Sequence, residues 1–479
     1  MLLECARMKA SAKCFSWPLL MATCLFADTI HLKNGRTIVA DHVREAGSRY
    51  EYEIGEDTYA IPKSSVDRVD AGGFPSASVS SDAKKMDALP VLAQADSLAG
   101  EGDLLAKVIQ DGKVNTDALA GMEAKGNPEL SATVNFIAGK FELERGDVSR
   151  SQAYFEAALR FQPSNSTILI YYAALLVRTG RASQALEFSQ RAVQSAPQSP
   201  DAYAMLGYAQ FASGRAREAT ISWKHSLALR PDATIQQLLA KAEREQNAEE
   251  GFAERESGHF KLRFEGKQTS EALRTQILSV LESDYDELVS DLGTPPHDDI
   301  QVILYTEQAF FDVTRAPSWS GAINDGKLRI PVSGVTSVTS DLARVLKHEL
   351  AHSFINQLSQ GRCPPWLHEG IAQLVEPRSL SEDGPQLAQL FKAEREIPLN
   401  VLEGSFMRLN GMEARVAYAE SLAAATYIQQ TYGMGDLQRI LQMLGQGSST
   451  EAALRATVHS DYGSFEAELG KYLQDKYGR

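Results

Sequence analysis

Cysteine is scarce. Four occur in 479 residues, and Cys5, Cys14 and Cys24 all fall within the first 27. Without that segment Cys363 stands alone, so no internal disulfide can form and stability has to come from packing. Basic residues are also outnumbered, 48 Lys and Arg against 62 Asp and Glu, for a net charge of −14. That balance lacks the footprint of a general nucleic-acid binder. No run of about 18 residues is free of charge and punctuation, so no segment reads as a membrane span. Apolar residues, by contrast, make up 43% of the chain. At roughly 100–200 residues per domain this is material for two to four packed domains, and it argues against wholesale disorder.

The N-terminus has the form of an export signal. Lys9 and Lys13 precede the apolar run Phe15 to Ala27, which is too short to span a bilayer. Residues 1–27 are therefore read as a signal peptide, with Asp28 as the mature start and a periplasmic or extracellular destination. A lipoprotein signal ending at Cys24 is an alternative that Thr23 fits poorly, and a buried first helix is the structural alternative.

Three blocks follow. Residues 28–71 alternate in short runs, and Asn34-Gly35 between two of them is a strong hairpin signal because both residues tolerate positive φ. The pattern predicts a small antiparallel barrel of four or five strands, similar to the SH3-like modules of exported bacterial proteins. Residues 72–95, rich in Ser, Ala, Gly and Asp, read as a linker.

The second block, 96–250, repeats itself. Pro163, Pro197 and Pro231 recur every 34 residues, and small residues keep the same phase: Gly139, Ala173 and Gly207, then Ser151, Ala185 and Ala219. Phe155, Ser189 and Trp223 share a further slot. This resembles the tetratricopeptide pattern, with clear repeats at 132–165, 166–199 and 200–233. Small residues let paired helices approach, and the Pro ends each second helix. A polar capping helix is expected over 233–250, and a degenerate helical pair over 96–129. Such stacks usually bind a peptide or protein on their concave face; a plain spacer is the alternative.

The third block, 252–479, carries the chemistry. His348-Glu349-Leu350-Ala351-His352 is an HExxH motif in a helix-like run with its expected N-cap at Ser340 and its end near Gly361. Histidines four apart leave one helix face a turn apart and can ligate one tetrahedral metal. Glu349 lies beside that metal without ligating it. Seventeen residues beyond His352, after a Gly/Pro-marked turn, stands Glu369 within Trp366-Leu367-His368-Glu369-Gly370-Ile371-Ala372. A second, antiparallel helix could bring Glu369 to the metal, with Gly370 allowing the two helices to pack closely.

These residues resemble the gluzincin metallopeptidases, thermolysin and the aminopeptidase-N family, and most nearly the peptidase-MA-like domains of exported bacterial proteins. The resemblance spans about 225 residues. It implies an α+β metallopeptidase domain with one Zn2+ held by His348, His352 and Glu369, and Glu349 as general base for a zinc-activated water. The segment Ala417-Tyr418-Ala419-Glu420-Ser421 is similar to the family's A-Y-x-x-S, which implies Tyr418 as the oxyanion donor; packing of its ring against the helix pair is the alternative. His368 is the reserve donor, about 100° around the helix from Glu369.

Glu376, seven residues after Glu369, is read as a carboxylate behind the ligands or as an alternative third ligand. Thermolysin-like enzymes carry an acid four positions after the ligand Glu, where this chain has Gln373. That departure puts the usual orientation of a ligand histidine in doubt. Cys363 is the nearby thiol that would close a purely structural zinc site. Upstream, Gly321 to Pro331 reads as a hairpin whose edge strand could pair with an extended substrate. The expected architecture is multidomain: a small all-β module, an all-α tetratricopeptide superhelix and an α+β gluzincin-like domain. The expected activity is that of a zinc endopeptidase acting on a peptide or protein, with no nucleic-acid partner. The alternatives are a zinc hydrolase of a non-peptide substrate and an inactive scaffold that only binds partners.

Overall fold

The computed structural model describes residues 26–33, 37–40, 42–47, 49–54, 57–75, 98 and 100–478, except 267–268, 315–321, 333, 405, 407–408 and 410. The expected signal peptide lies outside the described residues, apart from Phe26 and Ala27. So do the Asn34-Gly35 turn and residues 76–95 of the expected linker.

The N-terminal strands are β1 (Phe26–Leu32), β2 (Thr37–Ala40), β3 (His42–Ala46), β4 (Arg49–Ile54), β5 (Asp57–Pro62) and β6 (Val66–Pro75). They form two three-stranded antiparallel sheets, ordered β2-β1-β6 and β3-β4-β5. The strands on either side of the expected Asn34-Gly35 turn pair antiparallel, with Ile30 opposite Ile38. Among the described residues six strands form where four or five were expected, in two sheets rather than one barrel, because the run after that turn divides between them. The last strand extends to Pro75, pairing Pro75 and Phe74 with Phe26 and Ala27. Residues 72–75, read as linker, are therefore strand.

Helix pairs come next. Helix α1 (Glu101–Val108) and α2 (Thr116–Glu123) flank a hairpin of two-residue strands, β7 (Ile109–Gln110) and β8 (Lys113–Val114). Three pairs then follow in step with the 34-residue period: α3 (Pro128–Arg145) with α4 (Val148–Phe161), α5 (Ser166–Arg178) with α6 (Ala182–Ser195), and α7 (Pro200–Ala212) with α8 (Ala216–Leu229). Asn127, Asn165 and Ser199 cap the first helix of each pair with a side-chain oxygen. Each second helix stops just short of Pro163, Pro197 or Pro231. The small slots serve as expected, with the Phe155 ring lying on Gly139 and the Trp223 ring on Gly207.

After α9 (Ala233–Ala248) come β9 (Ala253–Glu256), β10 (Phe260–Phe264), α10 (Glu271–Leu292), β11 (Ile300–Tyr305), α11 (Glu307–Thr314), β12 (Ile323–Asn324) and β13 (Leu328–Pro331). The remaining helices are α12 (Ser340–Ser359), α13 (Pro365–Val375), α14 (Gly384–Lys392), α15 (Gly411–Thr431), α16 (Met434–Gly445), α17 (Thr450–Thr457) and α18 (Tyr462–Tyr477). The sheet runs β12-β13-β11-β10-β9, parallel at its centre and antiparallel at both edges. Among the described residues, no helix is long and apolar enough to cross a membrane.

Strand alternation sends the two faces of this sheet to different partners. Phe260, Leu262, Val302, Leu304, Leu328 and Ile330 face the core shared with α10 and α12. The opposite face carries Lys327, Arg329, Arg263 and Tyr305, and meets α9. Arg329 Nη2 and Lys327 Nζ reach Glu245 at 2.6 and 2.7 Å, with Glu245 fully buried. Glu249 bonds Arg263 and the Tyr305 hydroxyl. Asp325 receives Lys241 Nζ and Arg329 Nε, each at 2.9 Å. Burial alone would raise the Asp325 pKa, but these two cations overcome it and hold it well below the carboxylate range.

The expected polar capping helix is thus a docking helix, with Glu245 and, at its C-cap, Glu249 turned inward. The turns of the three helix pairs touch the same domain. Gly146, Gly180 and Gly214 all have positive φ, and each lies against a side chain of the C-terminal block: Arg362, Gln357 and Gln301. A side chain at any of these turns would strain the backbone and collide with its neighbour.

Removing one member of a buried ion cluster strands the others, which costs about 3–5 kcal/mol. Glu245→Ala should therefore destabilise the protein by about that amount in urea unfolding. Glu243→Ala, which breaks only the exposed pair with Lys224, should change stability by no more than about 1 kcal/mol. Equal, small effects of both would show that the cluster does not hold the two blocks together.

Candidate metal centre

The N-cap of helix α12 lies one residue earlier than expected. Thr339, not Ser340, accepts the Leu342 N–H, and the helix ends with Gln360 and Gly361 in left-handed conformations. Its inward face carries Leu346, Leu350 and Phe354, all buried, so the packing of this face fixes where His348 and His352 point. Helix α13 starts at Pro365, where a missing N–H costs nothing, and anchors itself with the buried Trp366, Leu367 and Ile371. Gly370 does allow a close approach, but to a different helix than expected. A Cβ there would collide with the Ser421 carbonyl of α15.

This packing brings His348, His352 and Glu369 together. Their donor atoms all lie within 4.8 Å of one another. His348 Nε2 is 3.4 Å from Glu369 Oε2, and His352 Nε2 is 3.9 Å from Glu369 Oε1. Glu369 Oε2 is buried and accepts no hydrogen bond. Two imidazoles and a carboxylate form a donor set of the kind that holds Zn2+ with one position open. The residues fit that ion.

Burial works against charge on all three, and their mutual contacts sort them. The Glu369 and Glu376 carboxylates outweigh burial at His348 and lift its pKa to about 10. Burial takes His352 well below its usual range. Despite its own burial, Glu369 is lowered to about 2 by His352 and His348.

Glu376 is placed behind the ligand rather than among the donors. Its Oε2 faces His348 Nδ1 at 3.3 Å, on the side of the ring away from Glu369. Gln373, fully buried, donates to the carbonyls of Glu369 at 3.1 Å and Tyr418 at 2.9 Å, tying α13 to α15. So the orienting carboxylate stands three positions later than in thermolysin-like enzymes, and the residue at the usual position does something an acid could not. His368, expected to point elsewhere, stacks on the His352 ring at 4.5 Å and turns Nε2 to Asn356. Burial lowers its pKa to about 4, so it is neutral at pH 7.

Burial raises Glu349 to about 7, with a further push from Glu369 and an opposing pull from His348. The Tyr418 ring packs edge-on against Phe406 at 5.3 Å. Burial and the nearby Glu369 and Glu349 carboxylates raise its hydroxyl well above the usual phenol range, so it keeps its proton. Cys363 is not among the converging donors, and burial holds it as a thiol.

Residues 284–475 match the family model of the Peptidase MA superfamily. This stretch is a peptidase-MA-like domain. It contains His348, Glu349, His352, Glu369 and Tyr418, while β9 and β10, which complete the same sheet, lie ahead of it. No curated protein matches the chain. Sequence reasoning missed Asn324, whose side chain bonds the Glu349 carbonyl at 2.7 Å; only its place at the expected edge strand pointed to it.

Partners that orient a ligand histidine typically contribute 10–100-fold to metal affinity. The purified protein should hold about one zinc per chain, and His352→Ala should lose most of it because three ligands become two. Glu376→Gln should keep the metal yet bind it about 10–100-fold more weakly in chelator competition. Unchanged affinity would show that the Glu376 contact does not support His348.

Proposed function

We propose that this protein is a zinc-dependent peptidase of the endopeptidase type. The observation that carries the reading is the convergence of His348, His352 and Glu369 with Glu349 buried beside them, inside a peptidase-MA-like domain. A bound zinc ion would supply a water of lowered pKa and polarise the scissile carbonyl. Glu349 takes the proton from the attacking water and passes it to the leaving amine. Its pKa of about 7 suits a group that must do both near neutrality. Tyr418, still protonated, donates to the oxygen that becomes negative as the carbonyl carbon turns tetrahedral.

Endopeptidase action is favoured over removal of N-terminal residues by what the edge hairpin holds. The carboxylate at β12, Asp325, is already engaged by Lys241 and Arg329 and is not available to a substrate's terminal amine. We read the three helix pairs as tetratricopeptide repeats that select a protein substrate or partner. The first 27 residues are read as an export signal that delivers the enzyme to the periplasm or beyond. The repeats are not a detachable tether, because α9 supplies the counterions of Lys327 and Arg329. A fragment spanning 252–479 would lack Glu245 and Glu249, which leaves Lys327 without its bonded carboxylate and Arg329 with only Asp325 and the Tyr305 hydroxyl.

Glu349→Gln keeps the shape and removes the proton acceptor. Zinc content should be unchanged while peptide hydrolysis falls by a factor of about 10² or more. Glu369→Ala should lose both metal and activity. Zinc loss from the Glu349 variant with retention in the Glu369 variant would reverse the two roles. A wild-type protein that holds zinc yet cleaves nothing in a peptide library would favour the non-peptide hydrolase or the scaffold.

A further inference from the structure

Asn324 closes β12 and bonds the helix turn that carries Glu349. Its side-chain amide donates to the Glu349 carbonyl at 2.7 Å and to Ser353 Oγ at 2.8 Å. Its backbone N–H also lies on the carboxylate side of Glu349 and lowers the pKa of that group. The remaining side-chain atom, Oδ1, accepts from Gly326 N at 3.0 Å, which fixes the amide's orientation within the turn. A glutamate has three rotatable side-chain bonds, and burial alone does not choose among their staggered states. The bonds to the Glu349 carbonyl and to Ser353 Oγ fix the helix turn from which the side chain springs and so the direction in which it leaves the helix.

The hairpin bearing Asn324 is itself held from outside the peptidase-MA-like domain. Asp325, the next residue, is bound by Lys241 of α9 on one oxygen and by Arg329 on the other. Arg329 and Lys327, on the far side of the turn, both end on Glu245, one helical turn along α9 from Lys241. A continuous chain of polar contacts therefore runs from the last helix of the repeat block, through a four-residue turn, to the acid beside the metal ligands.

We propose that Asn324 is a positioning residue for Glu349 and that α9, through the Lys241–Asp325 pair, holds Asn324 in place. The inference rests on Glu349 being the base, as read above. It makes the repeat block a part of the catalytic unit as well as a surface for partners. Asn324 touches no metal-ligand atom and no reacting atom, so its loss acts through Glu349. Misplacing a reacting group by about 1 Å costs about 10²-fold in rate.

The test uses the full-length, zinc-loaded protein. Asn324→Ala should lower kcat by about 10²-fold, with KM changed by no more than about twofold and zinc content unchanged. Lys241 is partly exposed, so Lys241→Met should fold. It should lower kcat by less, and Lys241→Arg, which keeps the cation, should restore it. A second readout needs no substrate. Amide exchange of Asn324, followed by mass spectrometry over residues 322–332, should quicken in Lys241→Met and return to wild-type protection in Lys241→Arg. Wild-type exchange and wild-type kcat in Lys241→Met would overturn the proposal, as would an Asn324→Ala effect confined to KM or to zinc content. If the wild-type protein cleaves no peptide, the peptidase reading fails on its own, and the exchange result still decides whether α9 holds the clamp.

Discussion

Two cations on one strand find their counterions on a helix from another block. Lys327 and Arg329 project from the same side of β13, and both are almost fully buried. Without Glu245, Lys327 would lose its bonded counterion in a medium that solvates it poorly, and Arg329 would keep only Asp325 and the more distant Glu249. Much else follows from this requirement. The sheet has to keep α9 on that face, the three helix-pair turns then fall against Arg362, Gln357 and Gln301, and the repeat stack takes up one register on the domain. An apolar contact of equal area would tolerate sliding. Directional pairs between guanidinium, ammonium and carboxylate do not, and fixing a register is the best-attested use of buried ion pairs.

The candidate metal site answers to the same electrostatics with the sign reversed. Glu349, Glu369 and Glu376 surround two histidines in a space closed by three helices. Like charges so close raise one another's cost of ionisation, and a divalent cation is the economical way to keep them ionised together. Gln373 fits this setting. A fourth carboxylate at that position would add repulsion and could not donate to the Glu369 and Tyr418 carbonyls, whereas an amide serves both. Orientation of His348 passes to Glu376, on the same helix face two turns beyond Glu369.

Much of this was legible in the sequence, for physical reasons that differ by element. The 34-residue period showed the helix pairs because small residues and prolines must recur wherever helices meet and end. HExxH and the downstream Glu369 showed the donor set because ligand geometry restricts spacing. That Glu376 shares the face of Glu369 and meets His348 followed from a seven-residue interval on one helix. Long-range pairing was not legible. Nothing local distinguishes Glu245 and Glu249 from the other charges of a polar helix, since their burial is decided by a strand some 80 residues later. Asn324 fell within the expected Gly321–Pro331 hairpin, but its bond to the Glu349 carbonyl exists only once β12 lies along α12. Gly370 was recognised as a close-approach site, but the approaching helix, α15, begins about 40 residues on and could not be read from α13 itself.

Everything said of function depends on which atoms hold the metal. X-ray absorption at the zinc edge, combined with the anomalous difference density of a zinc-loaded crystal, reads this directly. The account predicts one peak between His348 Nε2, His352 Nε2 and the Glu369 carboxylate, with only nitrogen and oxygen neighbours at about 2.0–2.2 Å. A sulfur neighbour at about 2.3 Å, which would bring in Cys363, or a peak away from these three side chains would contradict it.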